Sequence, residues 1–311
     1  MWLLDAGRHA DALDRLRAAA DAGATDPVVW RNLAIALVSA AGDDEAADAA
    51  LARALELRDD ARLVFERDVL AVRRGLGPRE RLALLERHPH LLDQRDDLAV
   101  RWANLLFDVG RVDAAWTLLT NRRFRPFEGG EGLVIAAFDR ASCALAERML
   151  PEAPAEAAAL LASGFVPPVT LGEGRHPAER PMQRWVLLGR ARAAMGDADG
   201  AAAAWRAAVA PTPLAVAPRP ADARTFWAGV AYVSLGEASA AEEVWRALDA
   251  RAAELRAAPD AVDYFATSVP ELTLFDSGTT AVRAAEADEL ERLARQGRML
   301  VAAARADHDG R

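Results

Sequence analysis

Two glutamates set between glycines are the residues of this chain best placed to do chemistry. Glu131 lies in Arg123-Phe124-Arg125-Pro126-Phe127-Glu128-Gly129-Gly130-Glu131-Gly132, and Glu173 in Val166-Pro167-Pro168-Val169-Thr170-Leu171-Gly172-Glu173-Gly174-Arg175-His176-Pro177. Both stretches carry Gly-Glu-Gly with an arginine within a few residues. Two carboxyl groups about 5–10 Å apart across a cleft can serve as acid and as nucleophile or base in glycoside hydrolysis. Glu131 with Glu173 is the candidate pair, and it requires the fold to bring the two loops to that separation. The same residues support two further readings. In one, the stretches are ordered connectors: Pro and Gly at this density break helices, Phe124 and Phe127 fill apolar space, and Glu128 or Glu131 caps a helix N-terminus. In the other they form a docking surface of Arg125, Phe127, Glu128, Glu131, Glu173, Arg175 and His176, since loops held on a scaffold are where recognition residues concentrate. Asp263-Tyr264-Phe265-Ala266-Thr267-Ser268-Val269-Pro270 adds an aromatic segment that is expected to cap a groove, with Tyr264 and Phe265 as its contact candidates.

Other chemistries find little support. Gly129-Gly130-Glu131-Gly132 is followed by no Gly-Lys-Ser/Thr, so it is not a phosphate loop. His9, His88, His90, His176 and His308 lack metal-ligand spacing, and His88-Pro89-His90 reads as a helix end. The single Cys143 cannot form an intrachain disulfide and sits in an apolar stretch, where a thiol behaves as a small hydrophobe. The expectation is therefore no cofactor and no metal. The formal charge is -9, and all 38 basic residues are arginine. Those arginines are interleaved with acids throughout, which disfavours a phosphate backbone as partner. No apolar run reaches membrane-spanning length. Met1-Trp2-Leu3-Leu4 lacks the basic region and apolar core of a signal peptide, so the expected setting is cytoplasmic and away from membranes.

The elements that hold these loops repeat along the chain. Trp185, Leu188, Gly189, Ala201, Trp205, Ala208 and Pro213 alternate large and small residues at fixed offsets, with Gly196 at a turn and Arg192 where an aromatic is wanted. This spacing resembles a tetratricopeptide repeat, a helix–turn–helix unit of about 34 residues. Turn glycines recur at Gly7, Gly42, Gly75 and Gly110, at intervals of 35, 33 and 35 residues, and again at Gly196, Gly236 and Gly297. Trp30, Leu33, Ala34 and Leu37 precede Gly42, and Ala47, Leu51 and Ala54 follow it. Trp102, Ala103 and Leu106 precede Gly110. Ala228, Gly229 and Tyr232 precede Gly236, and Ala241, Trp245 and Leu248 follow. Small residues are needed where paired helices cross, and the tryptophans, Trp205 among them, are expected in the core between pairs.

The unit before Gly75 is divergent. Glu66, Arg67 and Asp68 interrupt an apolar helix, and Asp68 is expected either on a solvated face or in an ion pair to Arg95, with Asp96 or Asp97 capping the next helix. The first repeat is truncated, leaving Trp2, Leu3 and Leu4 to cover a helix over Asp11–Ala20. An array starting midway through a helix is expected to have a preceding domain, because solenoids need polar caps at their ends. At the other end, Ala302–Ala306 reads as too short for a packing helix.

Taken with the loops and the Asp263–Ser268 segment, the chain is also similar to the C-terminal helical region of large bacterial proteins that carry an N-terminal β-rich domain of unknown function. That resemblance implies an upstream domain like carbohydrate-active folds and supplies no catalytic residues here. The sequence is thus assigned an all-α, tetratricopeptide-like right-handed α–α superhelix of about seven to eight helix pairs, some degenerate, with two irregular Gly/Pro loops. Residues 1–120 and 181–311 form repeat blocks around a degenerate segment at 121–180. The expected function is non-catalytic binding of a protein partner or of the missing N-terminal domain. The alternative is a carbohydrate-active helical toroid, or its accessory domain, using Glu131 and Glu173.

Overall fold

The computed structural model describes residues 2–126, 130–211, 220–259, 275 and 279–309. Among them all the regular structure is helical, with fifteen α-helices and no strand, which is the all-α repeat architecture the spacing predicts. It divides into two compact units. The first is Met1–Leu118, Arg125–Glu131 and Asp263–Ser277; the second is Leu119–Phe124, Gly132–Val262 and Gly278–Arg311. Most of the 121–180 segment therefore folds with the second unit.

The first unit runs through α1 (Trp2–Asp5), α2 (His9–Asp21), α3 (Pro27–Ala36, continued by a π turn at Leu37–Ala41), α4 (Asp44–Leu57), α5 (Ala61–Arg73), α6 (Pro78–Leu85), a 3₁₀ turn at Pro89–Gln94 and α7 (Asp96–Asp108) into α8 (Val112–Asn121). Each helix packs on the next in chain order from α1 to α7, as short connections between antiparallel neighbours require. Helix starts are set by aspartates: Asp26, Asp43 and Asp60 accept the backbone N–H of Val28, Ala46 and Arg62, and each such cap contributes about 1 kcal/mol. The turns belong to glycine because Gly42, Gly75 and Gly110 take positive φ, a left-handed conformation that costs a side chain with Cβ. The first helix, α1, has four residues, and its tryptophan does not cover α2 as expected. Trp2 is 71% exposed, while Leu4 packs on the core.

The second unit holds α9 (Leu133–Met149), α10 (Pro154–Ser163), a 3₁₀ turn at Val169–Leu171, α11 (Met182–Ala194), α12 (Ala198–Val209), a 3₁₀ turn at Ala223–Thr225, α13 (Phe226–Ser234), α14 (Ala238–Ala257) and α15 (Thr279–Asp309). Its repeat register is fixed by two matching contacts. A Cβ on Gly189 would lie 2.2 Å from the Trp205 indole, and one on Gly229 would lie 2.1 Å from the Trp245 indole. In both, a glycine in the first helix of a pair faces a tryptophan sixteen positions on in the second. Trp245 is fully buried; Trp205 is half-buried and donates its indole N–H to the Val186 carbonyl. Arg192, at the position that wants an aromatic, donates to the Gly200 carbonyl and so ties α11 to α12. Pro213, expected to end this unit, lies outside the described residues.

Two sequence expectations about the C-terminal end are corrected. Gly297 is not a turn residue; it lies inside α15, where an added Cβ would meet the Trp245 ring at 2.5 Å. The terminal helix is not short, for α15 spans 31 residues and packs on both α13 and α14. The Ala302–Ala306 stretch looks isolated in sequence because Ala287, Leu290 and Ala294, which bury the preceding turns, lack the aromatic markers of the other repeats. Among the described residues no helix is long and apolar enough to cross a membrane.

Candidate functional site

Gly132 and Glu173, both of the second unit, meet at the start of α9. Gly132, at positive φ, is the N-cap residue of that helix and has no side chain to cap it. The carboxylate of Glu173 takes that role from 41 residues away: Oε2 accepts the Gly132 N–H at 2.7 Å and Oε1 accepts the Ile135 N–H at 3.2 Å. A carboxylate here satisfies otherwise orphaned amides and faces the positive end of the helix dipole. A helix cap was expected in this region from Glu128 or Glu131, and Glu173 supplies it. The loops are joined again where the Phe124 N–H donates to the Thr170 carbonyl at 2.8 Å, with Phe124 and Leu171 buried.

Arg175, two residues after Glu173, joins an ionic cluster built around the buried Arg184. Asp139 of α9 holds two guanidiniums. Arg175, from the second loop, donates from Nη1 to Asp139 Oδ2 at 2.6 Å and from Nη2 to Oδ1 at 2.9 Å. Arg184 of α11 donates from Nη2 to Asp139 Oδ1 and to Ser142 Oγ, both at 2.6 Å, and from Nη1 to the Leu161 carbonyl at 3.0 Å. Arg184 is fully buried and stacks over Phe138 and Phe165. The guanidinium lies so close to the chain that a Cβ on Gly164 would fall 2.0 Å from Arg184 Nη1. Burial opposes the Arg175 charge, but the hydrogen bonds and attraction of Asp139 outweigh it and raise its pKa above the ordinary arginine value. A buried charge without such partners is costly. One signal for this cluster was available in the sequence: Arg184 falls on the face of α11 that also carries the buried Leu187, Leu188 and Ala191, and a charge there requires a partner.

Cys143 follows Ser142 on α9. Burial, opposed by the nearby Arg184 charge, pushes its thiol up to about 12, so the thiolate that reacts with electrophiles is scarce at neutral pH. Ellman's reagent is expected to leave Cys143 unmodified in the folded protein and to titrate one thiol in denaturant. Stoichiometric labelling of the native chain within minutes would show an accessible, activated thiol instead.

The remaining candidates are placed as follows. Arg175 is largely covered by its pairing with Asp139. His176 is exposed and accepts the Ala178 N–H through Nδ1 at 3.1 Å. Glu131 is exposed and belongs to the first unit, whereas Glu173 belongs to the second. The Arg125 N–H donates to Asp96 Oδ2 at 2.9 Å. Phe127, Glu128, Tyr264 and Phe265 lie outside the described residues, as does the groove-capping role expected of the segment that holds the last two. His88 and His90 share the carboxylate of Asp59, with His88 at the N-cap of the 3₁₀ turn. Among the described residues no group of three or more His, Cys, Asp or Glu is arranged to hold a metal ion.

The first unit has its own buried carboxylates. Glu66 of α5 receives Arg31 of α3 through three hydrogen bonds of 2.6–3.0 Å and Arg62 at 2.9 Å. Asp68 receives Arg81 at 2.8 and 2.7 Å and Arg101 of α7 at 2.8 Å. Asp68 is therefore in an ion-pair network, but not with Arg95, the partner expected from the sequence. Arg95 pairs with Asp97 and, like Arg101, stacks on Phe65. Neither Asp96 nor Asp97 caps α7 in the expected way. Arg95 occupies the N-cap without a side-chain bond, Asp97 accepts the adjacent Leu98 N–H, and Asp96 holds Arg125. Arg31, Glu66 and Arg101 recur at intervals of 35 residues, so equivalent positions of successive repeats alternate in sign. Compared with models of known protein families, the chain matches none.

Proposed function

We propose that this chain is a non-catalytic helical-repeat scaffold of the tetratricopeptide type, which binds a protein partner or the domain encoded ahead of it in a bacterial cytoplasm. One observation carries the reading: the side chains best suited to chemistry are committed to architecture. Glu173 caps α9, Asp139 is held between two arginines, Glu66 and Asp68 are buried under guanidiniums, and the Cys143 thiol is held protonated. The repeated Gly189–Trp205 and Gly229–Trp245 contacts support the tetratricopeptide register, and stacked helix pairs present extended surfaces to partners. Arg125, Glu131 and His176 keep exposure at the loops and are the residues assigned to the contact. Co-expression with the polypeptide encoded immediately upstream, followed by size-exclusion chromatography with light scattering, tests the reading. A 1:1 complex is expected; two separately eluting, folded species would remove the upstream polypeptide as partner.

A further inference from the structure

Among the described residues the two most exposed large apolar side chains belong to one short loop of the second unit: Val166 is 82% exposed and Val169 87%. They flank Pro167 and Pro168, after the end of α10, and Val169 opens the 3₁₀ turn at Val169–Leu171. A single apolar residue on a surface is ordinary. Here two of them are held out by a backbone that is anchored on both sides. On one side Phe165 packs on Trp185, at 4.0 Å between ring centroids, and under the Arg184 guanidinium. On the other, Leu171 is buried, its N–H donates to the Pro168 carbonyl at 3.0 Å, and the Thr170 carbonyl accepts the Phe124 N–H at 2.8 Å.

The sequence dictates the conformation between these anchors. Each proline ring fixes its own φ at about −65°, and a residue that precedes proline is pushed to an extended ψ. Val166 and Pro167 both precede a proline, and Pro168 has φ −58° and ψ 139°. These are polyproline II angles. A polyproline II helix has about three residues per turn and rises about 3.1 Å per residue, so Val166 and Val169 fall on one edge, about 9 Å apart. The same residues exclude the other common ways of recognising a short segment. Pro167 and Pro168 have no N–H to donate to a sheet edge and cannot continue a helix, and the 166–169 segment carries no charge for a basic or acidic surface to read. The Val166 and Pro167 carbonyls accept no backbone N–H among the described residues, which leaves them to donors on a partner.

We propose that the 166–169 segment is a preformed polyproline II ligand, presented by this scaffold to a partner domain whose binding groove is lined by aromatic rings. Val166 and Val169 supply the apolar edge that enters the groove, and Pro167 and Pro168 fix the backbone that carries it. Because the loop is already ordered, little conformational entropy is lost on docking. This inference rests on the scaffold reading above and deepens it by naming the class of partner.

The test uses the full chain and singly purified domains with aromatic-lined grooves encoded in the same genome, SH3-type domains among them, with binding read by titration calorimetry. At least one domain is expected to bind. Val166→Ser with Val169→Ser is expected to weaken that binding roughly tenfold or more, as loss of the central apolar anchors does at other interfaces. Pro167→Ala with Pro168→Ala, which keeps both valines and frees the backbone, is expected to weaken it about fivefold. All four positions lie outside the α-helices, and circular dichroism establishes that each variant is folded; Val169→Ser alone replaces the valine pair should the double change unfold. Binding by none of these domains, or equal binding to the unaltered chain and the valine variant, overturns the proposal. It is also overturned if light scattering finds a dimer of the chain that the valine variant disperses, or if the chain sediments with lipid vesicles and the valine variant does not, since either result gives the valines a different occupant. The upstream polypeptide is not a component of these assays, so its failure to bind and the failure of the aromatic-groove domains are separate results.

Discussion

Trp245→Ala is expected to destabilise the second unit by about 3–5 kcal/mol, the range for removing a large buried aromatic. The indole has no exposed surface, and Phe226 packs against it at 5.5 Å between ring centroids. Gly229 and Gly297 both approach it so closely that a Cβ on either would fall within 2.6 Å of several ring atoms. The complementary change is as informative. On an ordinary helix Gly→Ala gains about 1 kcal/mol from propensity. Gly229→Ala is expected to lose about 1–3 kcal/mol, because the ring is blocked by Gly297 and overpacking forces a backbone shift. In Gly229→Ala with Trp245→Leu the two losses should not add, since the smaller side chain leaves room for the new methyl. Urea unfolding of the three variants measures the cycle. A stabilising Gly229→Ala would mean open space at the ring and would void the register that defines the repeat.

Asp139→Ala carries the second large effect, again about 3–5 kcal/mol, because it strands a buried charge. Its two arginines respond differently. Arg175 sits on a loop and can turn towards water, whereas Arg184 is fully buried in α11 with Gly164 against its guanidinium. Removing the pair with the buried arginine in Asp139→Leu with Arg184→Met, and leaving Arg175 to turn towards water, is expected to recover most of the loss, as apolar replacements of buried ion pairs do in other proteins. Thermal melts report the cycle, at about 2–4 °C per kcal/mol for a unit of this size. If the double variant is as unstable as Asp139→Ala, the cluster holds the unit through the Ser142 and Leu161 hydrogen bonds rather than through charge balance.

The helix hairpins were legible in the sequence because their signals are local. Gly7, Gly42, Gly75, Gly110, Gly196 and Gly236 all take the positive φ that their positions in the repeat predict, and a turn glycine is recognised from its neighbours alone. Gly297 broke the pattern because a second reason for glycine, close approach to a ring, leaves the same mark in sequence. The capping of α9 was legible only in kind. Any acid near Gly132 could have supplied it, and choosing Glu173 over Glu131 requires knowing that the Thr170 carbonyl meets the Phe124 N–H. Long-range ion pairs were the least legible. Arg95 and Arg101 both lie about one repeat beyond Asp68, and which of them turns to the carboxylate depends on how both rest against Phe65. Arg81, the bidentate partner, comes from α6, the second helix of the same pair, where arginines are common and unremarkable.

The central claim is that residues of chemical character in this chain hold its repeats together. Glu173 offers the most direct test, because it belongs both to the carbohydrate-active reading and to the helix cap. Glu173→Ala should lower the stability of the second unit by about 1 kcal/mol, the usual loss for a helix cap, and leave the 1:1 complex with the upstream polypeptide intact. Unchanged stability together with loss of that complex, or with loss of a glycoside-cleaving activity, would contradict the account and make Glu173 a functional contact.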